Sequence, residues 1–102
     1  MTMHVDLHDL TRYVAEWHHA QYPTADVRDV ALKLAEESGE VCRAVVELDH
    51  PSLHRLSRAA LGDELADVII VCAALAERAN IDLDGAVQRR WSVIRERRRN
   101  DR

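Results

Sequence analysis

Two acidic patterns carry the chemistry that this sequence suggests: Glu36-Glu37-Ser38-Gly39-Glu40, and Glu64-Leu65-Ala66-Asp67. Glu37 and Glu40 are three residues apart, as are Glu64 and Asp67, and on an α-helix that spacing puts both members of a pair on one face. Asp67 directly precedes an apolar run, Val68 to Ala76. An ionised group at the edge of a buried segment is costly unless it is paired or bound to a metal. Two such pairs on facing helices would bring four carboxylates together, and like charges at that range repel strongly. A hard divalent cation relieves the repulsion. All-oxygen ligands suit magnesium, with manganese as a substitute, better than zinc or copper. Magnesium retains waters and accepts phosphate oxygens, so the expected substrate is a phosphate ester or anhydride. Either acidic pair alone is the ordinary pattern of a solvated helix face. Their occurrence together, on successive long helices, is what points to a site.

Four helices are expected to position these residues. The first spans about 5–21, where Val5, Leu7, Leu10, Val14 and Trp17 form an apolar stripe at near-helical spacing. Pro23 ends it, and Asp26 is suited to cap a second helix continuing to about Leu48. Asp49-His50-Pro51-Ser52 is the clearest break in the chain, followed by a short helical or irregular piece over 52–57. The third helix covers about 59–79, with Asn80 at its C-terminus, and Asp82 can cap a fourth over about 83–97. Residues 98–102 are expected to fray. The apolar run Val68 to Ala76 extends around every side of the third helix. Three other short helices can hardly cover all of its faces, so a partner subunit is expected to supply the rest.

Composition agrees with an all-α, four-helix bundle-like fold completed by dimerisation, formed by one domain spanning 1–102. The chain has 102 residues, 47% of them hydrophobic, but only two Trp, two Tyr and no Phe. Its core must therefore be built from Ala, Val, Leu and Ile. Three glycines and two prolines are too few for the repeated tight turns of a β-fold. Formal charge is −4, which gives no electrostatic case for nucleic-acid binding. Seven of the thirteen arginines nevertheless lie between Arg89 and Arg102, as expected of a solvated tail. Cys42 and Cys72 lie in apolar helical stretches and form no disulfide framework. The N-terminus lacks the pattern of a signal peptide, and the longest apolar run, nine residues, is well short of the roughly 20 needed to span a membrane. A cytoplasmic protein without membrane or nucleic-acid partners is expected.

At the two acidic segments the sequence resembles the MazG-like family of all-α nucleoside triphosphate pyrophosphohydrolases, related to the dCTP pyrophosphatases. Its pattern is Glu-Glu-x-x-Glu followed some tens of residues later by Glu-x-x-Asp. The flanking Leu34-Ala35, Val41, Leu61-Gly62-Asp63 and Val68-Ile69-Ile70 agree with it, as does Ile81-Asp82-Leu83 followed by Ala86-Val87. The similarity covers about residues 31–87. The resemblance implies that Glu37, Glu40, Glu64 and Asp67 bind magnesium and that Glu36 orients or deprotonates the attacking water. It also implies hydrolysis of a (deoxy)nucleoside triphosphate between the α and β phosphates, in a homodimer or homotetramer. One departure stands out. Relatives often carry Lys and, four residues later, Asn in the last helix; here those positions are Arg90 and Ile94, which bears on substrate preference more than on the metal.

Other residues have two readings. Lys33, the sole lysine, can contact a triphosphate or form a solvated ion pair with Glu36 or Glu37. Trp17, with Tyr13 four residues before it, can stack on a nucleobase or pack in a core or interface. Arg90 is a candidate phosphate contact. Glu16/His19 and Glu47/His50 have the Glu-x-x-His spacing of di-iron carboxylate bundles, but both pairs lie near helix ends. The pairs His4/His8 and His50/His54 lack further ligands at suitable spacing and read as surface histidines. An alternative to an enzyme is a helical dimer serving as an interaction or regulatory module with a degenerate metal site, a reading that Ile94 keeps open.

Overall fold

A computed structural model describes residues 4–49 and 58–100 of the chain. Four helices follow one another: α1 (Leu7–Gln21), α2 (Val27–Asp49), α3 (Arg58–Arg78) and α4 (Leu83–Asn100). The expected break after Asp49 and the short piece over 52–57 fall outside the described residues. The helix order and type are as expected. The largest difference is at the end of α4, which continues as helix to Asn100 instead of fraying from 98.

Local side-chain chemistry sets the helix ends. Asp6 accepts a hydrogen bond from the Asp9 amide and starts α1. At α2, Asp26 Oδ1 accepts from the Asp29 amide while Asp29 Oδ2 accepts from the Asp26 amide. This reciprocal box satisfies two amides that the helix cannot. At the end of α3, the Asn80 amide donates to Glu77 O and the Ile81 amide to Ala76 O. Asn80 adopts φ 58°, a left-handed conformation that Asn tolerates better than most residues, and the whole is a Schellman turn. Asp82 then caps α4 through the Gly85 amide. A Cβ at Gly85 would stand 2.5 Å from Asp82 Oδ2, so in this rotamer the capping carboxylate would have to turn to admit a side chain there.

Small residues let the helices approach. Val14 of α1, Val30 of α2, and Ala73 and Ala74 of α3 form the buried cluster, with Leu10, Val71, Leu75 and Leu83 packed around it. All four helices thus contribute to one core. The α2–α3 pair is the most extensive, and α1 lies across α3 with a smaller contact to α4. Val30 packs with Ala74 whereas Glu37 lies beside Asp67. Ascending numbers on α2 therefore meet descending numbers on α3, and the pair is antiparallel. This register carries the two acidic segments to the same level.

The core of a single chain is thin. Among the described residues no large side chain is fully buried, and Leu65, Ile69 and Ile70 on α3 and Val87, Trp91 and Ile94 on α4 are exposed. The expectation that other elements of one chain would leave part of α3 uncovered agrees with this distribution.

Candidate active site

Glu37, Glu64 and Asp67 each offer a carboxylate oxygen within 4.8 Å of the others. Glu37 comes from the middle of α2; Glu64 and Asp67 occupy successive turns of α3. Glu40 is outside this tight group but near it: its charge, with those of Asp67, Glu37 and Asp63, helps to hold the Glu64 carboxyl above the ordinary range, after desolvation, which contributes most. Three expected ligands therefore converge, and the fourth stands beside them.

Lys33 bridges the edge of the cluster. Its ammonium is 3.2 Å from Glu37 Oε1 and 3.5 Å from Glu36 Oε1. These carboxylates, Glu37 first through its hydrogen bond, hold the lysine pKa above its usual value. The side chain of Glu37 is only 14% exposed and that of Glu36 is 64% exposed. Neighbours in sequence thus face different surroundings: Glu37 turns towards α3, and Glu36 faces solvent beside Lys33.

A cavity of about 500 Å³ extends from the carboxylates along α2 and α3 to the end of α1. Lys33, Glu37 and Asp67 line its polar part; Val30, Ile70, Val71 and Ala74 form apolar walls; Trp17, His18 and Tyr22 come from α1 and the turn after it. Asp67 and Arg78, which anchors the aromatic group, are eleven residues apart on α3, roughly 16 Å at the helical rise. The clustered carboxylates and the aromatic group thus come from different stretches of the helices, and Asp29 in the first turn of α2 adds a further carboxylate to the cavity lining. Trp17 meets Tyr22 edge-on with ring centres 6.0 Å apart, and His18 lies 5.1 Å from Tyr22. Tyr13, expected to accompany Trp17, instead lies under the Arg12 guanidinium. Arg90 is exposed on α4 and is not among the cavity-lining residues. Ile94 is likewise exposed.

Sequence reasoning missed the device that builds the aromatic end. The Arg78 side chain, 8% exposed, donates to His18 Nδ1 at 3.1 Å and to the carbonyls of His18, Tyr22 and Ala25 at 3.2, 2.6 and 2.8 Å. One guanidinium thereby satisfies carbonyls at the C-terminus of α1, where positive charge is also favourable. Glu77 accepts from the neighbouring His19 and lies against Arg78. Burial first, then the Arg78 charge, holds the His18 pKa below its ordinary value. The contacts connect residues about 60 positions apart, which no periodicity reveals. The available signal was a pair of histidines ending one helix and an arginine ending another.

A family model, the MazG nucleotide pyrophosphohydrolase domain, matches residues 26–100, about three quarters of the chain. No curated protein matches the sequence.

Proposed function

The chain belongs to the MazG nucleotide pyrophosphohydrolase family, and from that premise we propose that it is a magnesium-dependent hydrolase of (deoxy)nucleoside triphosphates. It cleaves between the α and β phosphates and releases a nucleoside monophosphate and pyrophosphate. One observation carries the reading: a single cavity is lined by Lys33 and by Glu37 and Asp67 of the carboxylate cluster, and also by an aromatic group from α1 and the turn after it. That layout matches the phosphates and the base of a nucleotide.

The donor set fits a hard divalent cation. Its atoms are carboxylate oxygens drawn from facing helices, and burial first, then the charges of Asp67, Glu40, Glu37 and Asp63, raise the pKa of Glu64. Glu37, Glu64 and Asp67 would hold magnesium, or manganese in its place, with Glu40 as the adjoining fourth carboxylate. The cation supplies neutralisation of the charge on the phosphate oxygens. Glu36, exposed and one residue from the cluster, takes the proton of the attacking water. The water oxygen bonds to phosphorus as the bridging phosphoanhydride bond breaks, and the bridging oxygen leaves with pyrophosphate. Lys33 engages the triphosphate, and Trp17 provides stacking surface for the base. Arg90, exposed on α4 and outside the cavity lining of its own chain, is assigned a phosphate contact on the family resemblance alone.

The functional unit is a homodimer or homotetramer of one-domain chains, acting in the cytoplasm on unwanted nucleotides. The exposed apolar residues of α3 and α4 support the assembly. No helix among the described residues is long and apolar enough to cross a membrane. Ile94, exposed where relatives often have Asn, favours one competing reading, a non-catalytic interaction or regulatory module. Product analysis separates the two. Incubation of a nucleoside triphosphate with magnesium should yield monophosphate and pyrophosphate in equal amounts. Diphosphate and orthophosphate would refute the cleavage position, and an unchanged triphosphate would favour the module.

A further inference from the structure

His18 is a buried titratable group that the hydrolytic reading leaves unused. It lines the cavity at its aromatic part, and its two ring nitrogens have different surroundings. Nδ1 accepts from Arg78 Nε at 3.1 Å. An arginine always carries its proton, so Nδ1 must be the bare nitrogen and Nε2 must carry the ring hydrogen. Arg78 cannot swing away freely, because its other donors hold the carbonyls of His18, Tyr22 and Ala25. No described residue engages Nε2. Among the described residues Glu77 Oε2 is the sole fully buried polar side-chain atom without a hydrogen-bond partner, so Nε2 is not sealed from solvent, and the residue that carries it lines the cavity.

We propose that His18, locked by Arg78 in the tautomer with hydrogen on Nε2, reads the nucleobase by donating to a carbonyl oxygen or an unprotonated ring nitrogen on its edge. The inference rests on the nucleotide reading of the cavity and adds the residue that discriminates between bases. A fixed donor in a partly desolvated pocket discriminates well. A base presenting a donor or a C–H at that point would leave the Nε2 hydrogen unpaired and lose its own hydration. Trp17 and Tyr22, by contrast, offer faces that any base can stack on.

The lowered pKa of His18 is consistent with this arrangement. Protonation would set an Nδ1 hydrogen against the Arg78 Nε hydrogen, so the neutral donor persists.

Binding separates this role from mere support of the fold. Hydrolysis-resistant α,β-imido nucleotides carrying each base, and the base-free sugar analogue, are titrated with magnesium into the wild type, His18→Asn and His18→Gln. The Asn oxygen can replace Nδ1 as acceptor for Arg78, but its amide does not reach the Nε2 position. The Gln amide does reach it and restores a donor. We expect the wild type to prefer one base, His18→Asn to lose that preference by about tenfold with base-free binding unchanged, and His18→Gln to retain most of it. Replacing the acceptor of the preferred base by C–H should weaken the wild type to the same degree and leave His18→Asn unaffected. An unchanged base ranking in His18→Asn, equal weakening for the base-free analogue, or no base preference in the wild type would each overturn the assignment. Pyrophosphate release is read separately. Base-selective binding without hydrolysis would reject the reaction but keep the role of His18, and hydrolysis with an unaltered ranking would do the reverse.

Discussion

Glu64 illustrates how a side chain can serve a site at the expense of the metal-free fold. Burial and the charges of Asp67, Glu40, Glu37 and Asp63 raise its pKa, so the folded chain holds its proton more tightly than the unfolded chain does. For an acid shifted upward, stability falls as pH rises from the unfolded pKa through the folded one. Metal-free Glu64→Gln should therefore unfold at a higher temperature than the wild type at neutral pH, with the gap closing near about pH 4. Added magnesium should stabilise the wild type more than the variant. Thermal unfolding with and without metal checks both statements, and a variant less stable than the metal-free wild type at neutral pH would count against the strained cluster. The convergence of Glu37, Glu64 and Asp67 was legible from two i, i+3 spacings, since both pairs had to face something. The position of Glu40 outside the tight group was not. Residues three apart are turned about 60° from one another on a helix, and which member points most directly at the partner depends on the crossing of α2 and α3.

At the scale of the elements, caps were legible because they are local. Asp26, Asn80 and Asp82 do what their types and neighbours suggested. Asp82→Ala should cost about 1 kcal/mol, lowering the melting temperature by roughly 4–8 °C for a chain of this size. A circular-dichroism melt measures it, and no change would mean that α4 does not depend on its cap. The attachment of α1 to α3 was not legible, because it depends on Arg78 meeting His18 across the fold. This contact has a pH signature. His18 faces Arg78, Glu77 and His19; burial and the Arg78 charge prevail and lower its pKa from 6.5. A histidine shifted downward contributes stability that is present above its unfolded pKa and lost as pH falls through the folded value. The wild type should therefore lose stability below about pH 6.5 more steeply than His18→Asn, which has no imidazole to protonate. Parallel curves for the two proteins would contradict that account.

The whole molecule poses the question of what covers α3 and α4. The run Val68 to Ala76 suggested a partner because it is apolar on all sides, and the fold leaves Ile69 and Ile70 exposed beside the buried Ala73, Ala74 and Ala76. On α4, Val87, Trp91 and Ile94 repeat at helical spacing and are also exposed. Light scattering should give a mass two or four times the 11.6 kDa of one chain, and Ile69→Asp should shift it towards one. A wild-type monomer at micromolar concentration would contradict the assembly. The reaction itself is the central claim, and pyrophosphate release tests it most directly. A panel of canonical and modified nucleoside triphosphates is offered with magnesium, with manganese and with chelator to the wild type, Glu37→Ala and Asp67→Ala. Loss of even an outer partner of a metal ligand typically costs about 10–100-fold, so loss of a ligand should reduce release by about 100-fold or more. The account predicts metal-dependent release by the wild type and its near abolition in both folded variants. Release that persists in chelator, or release by folded Glu37→Ala and Asp67→Ala equal to that of the wild type, would contradict it.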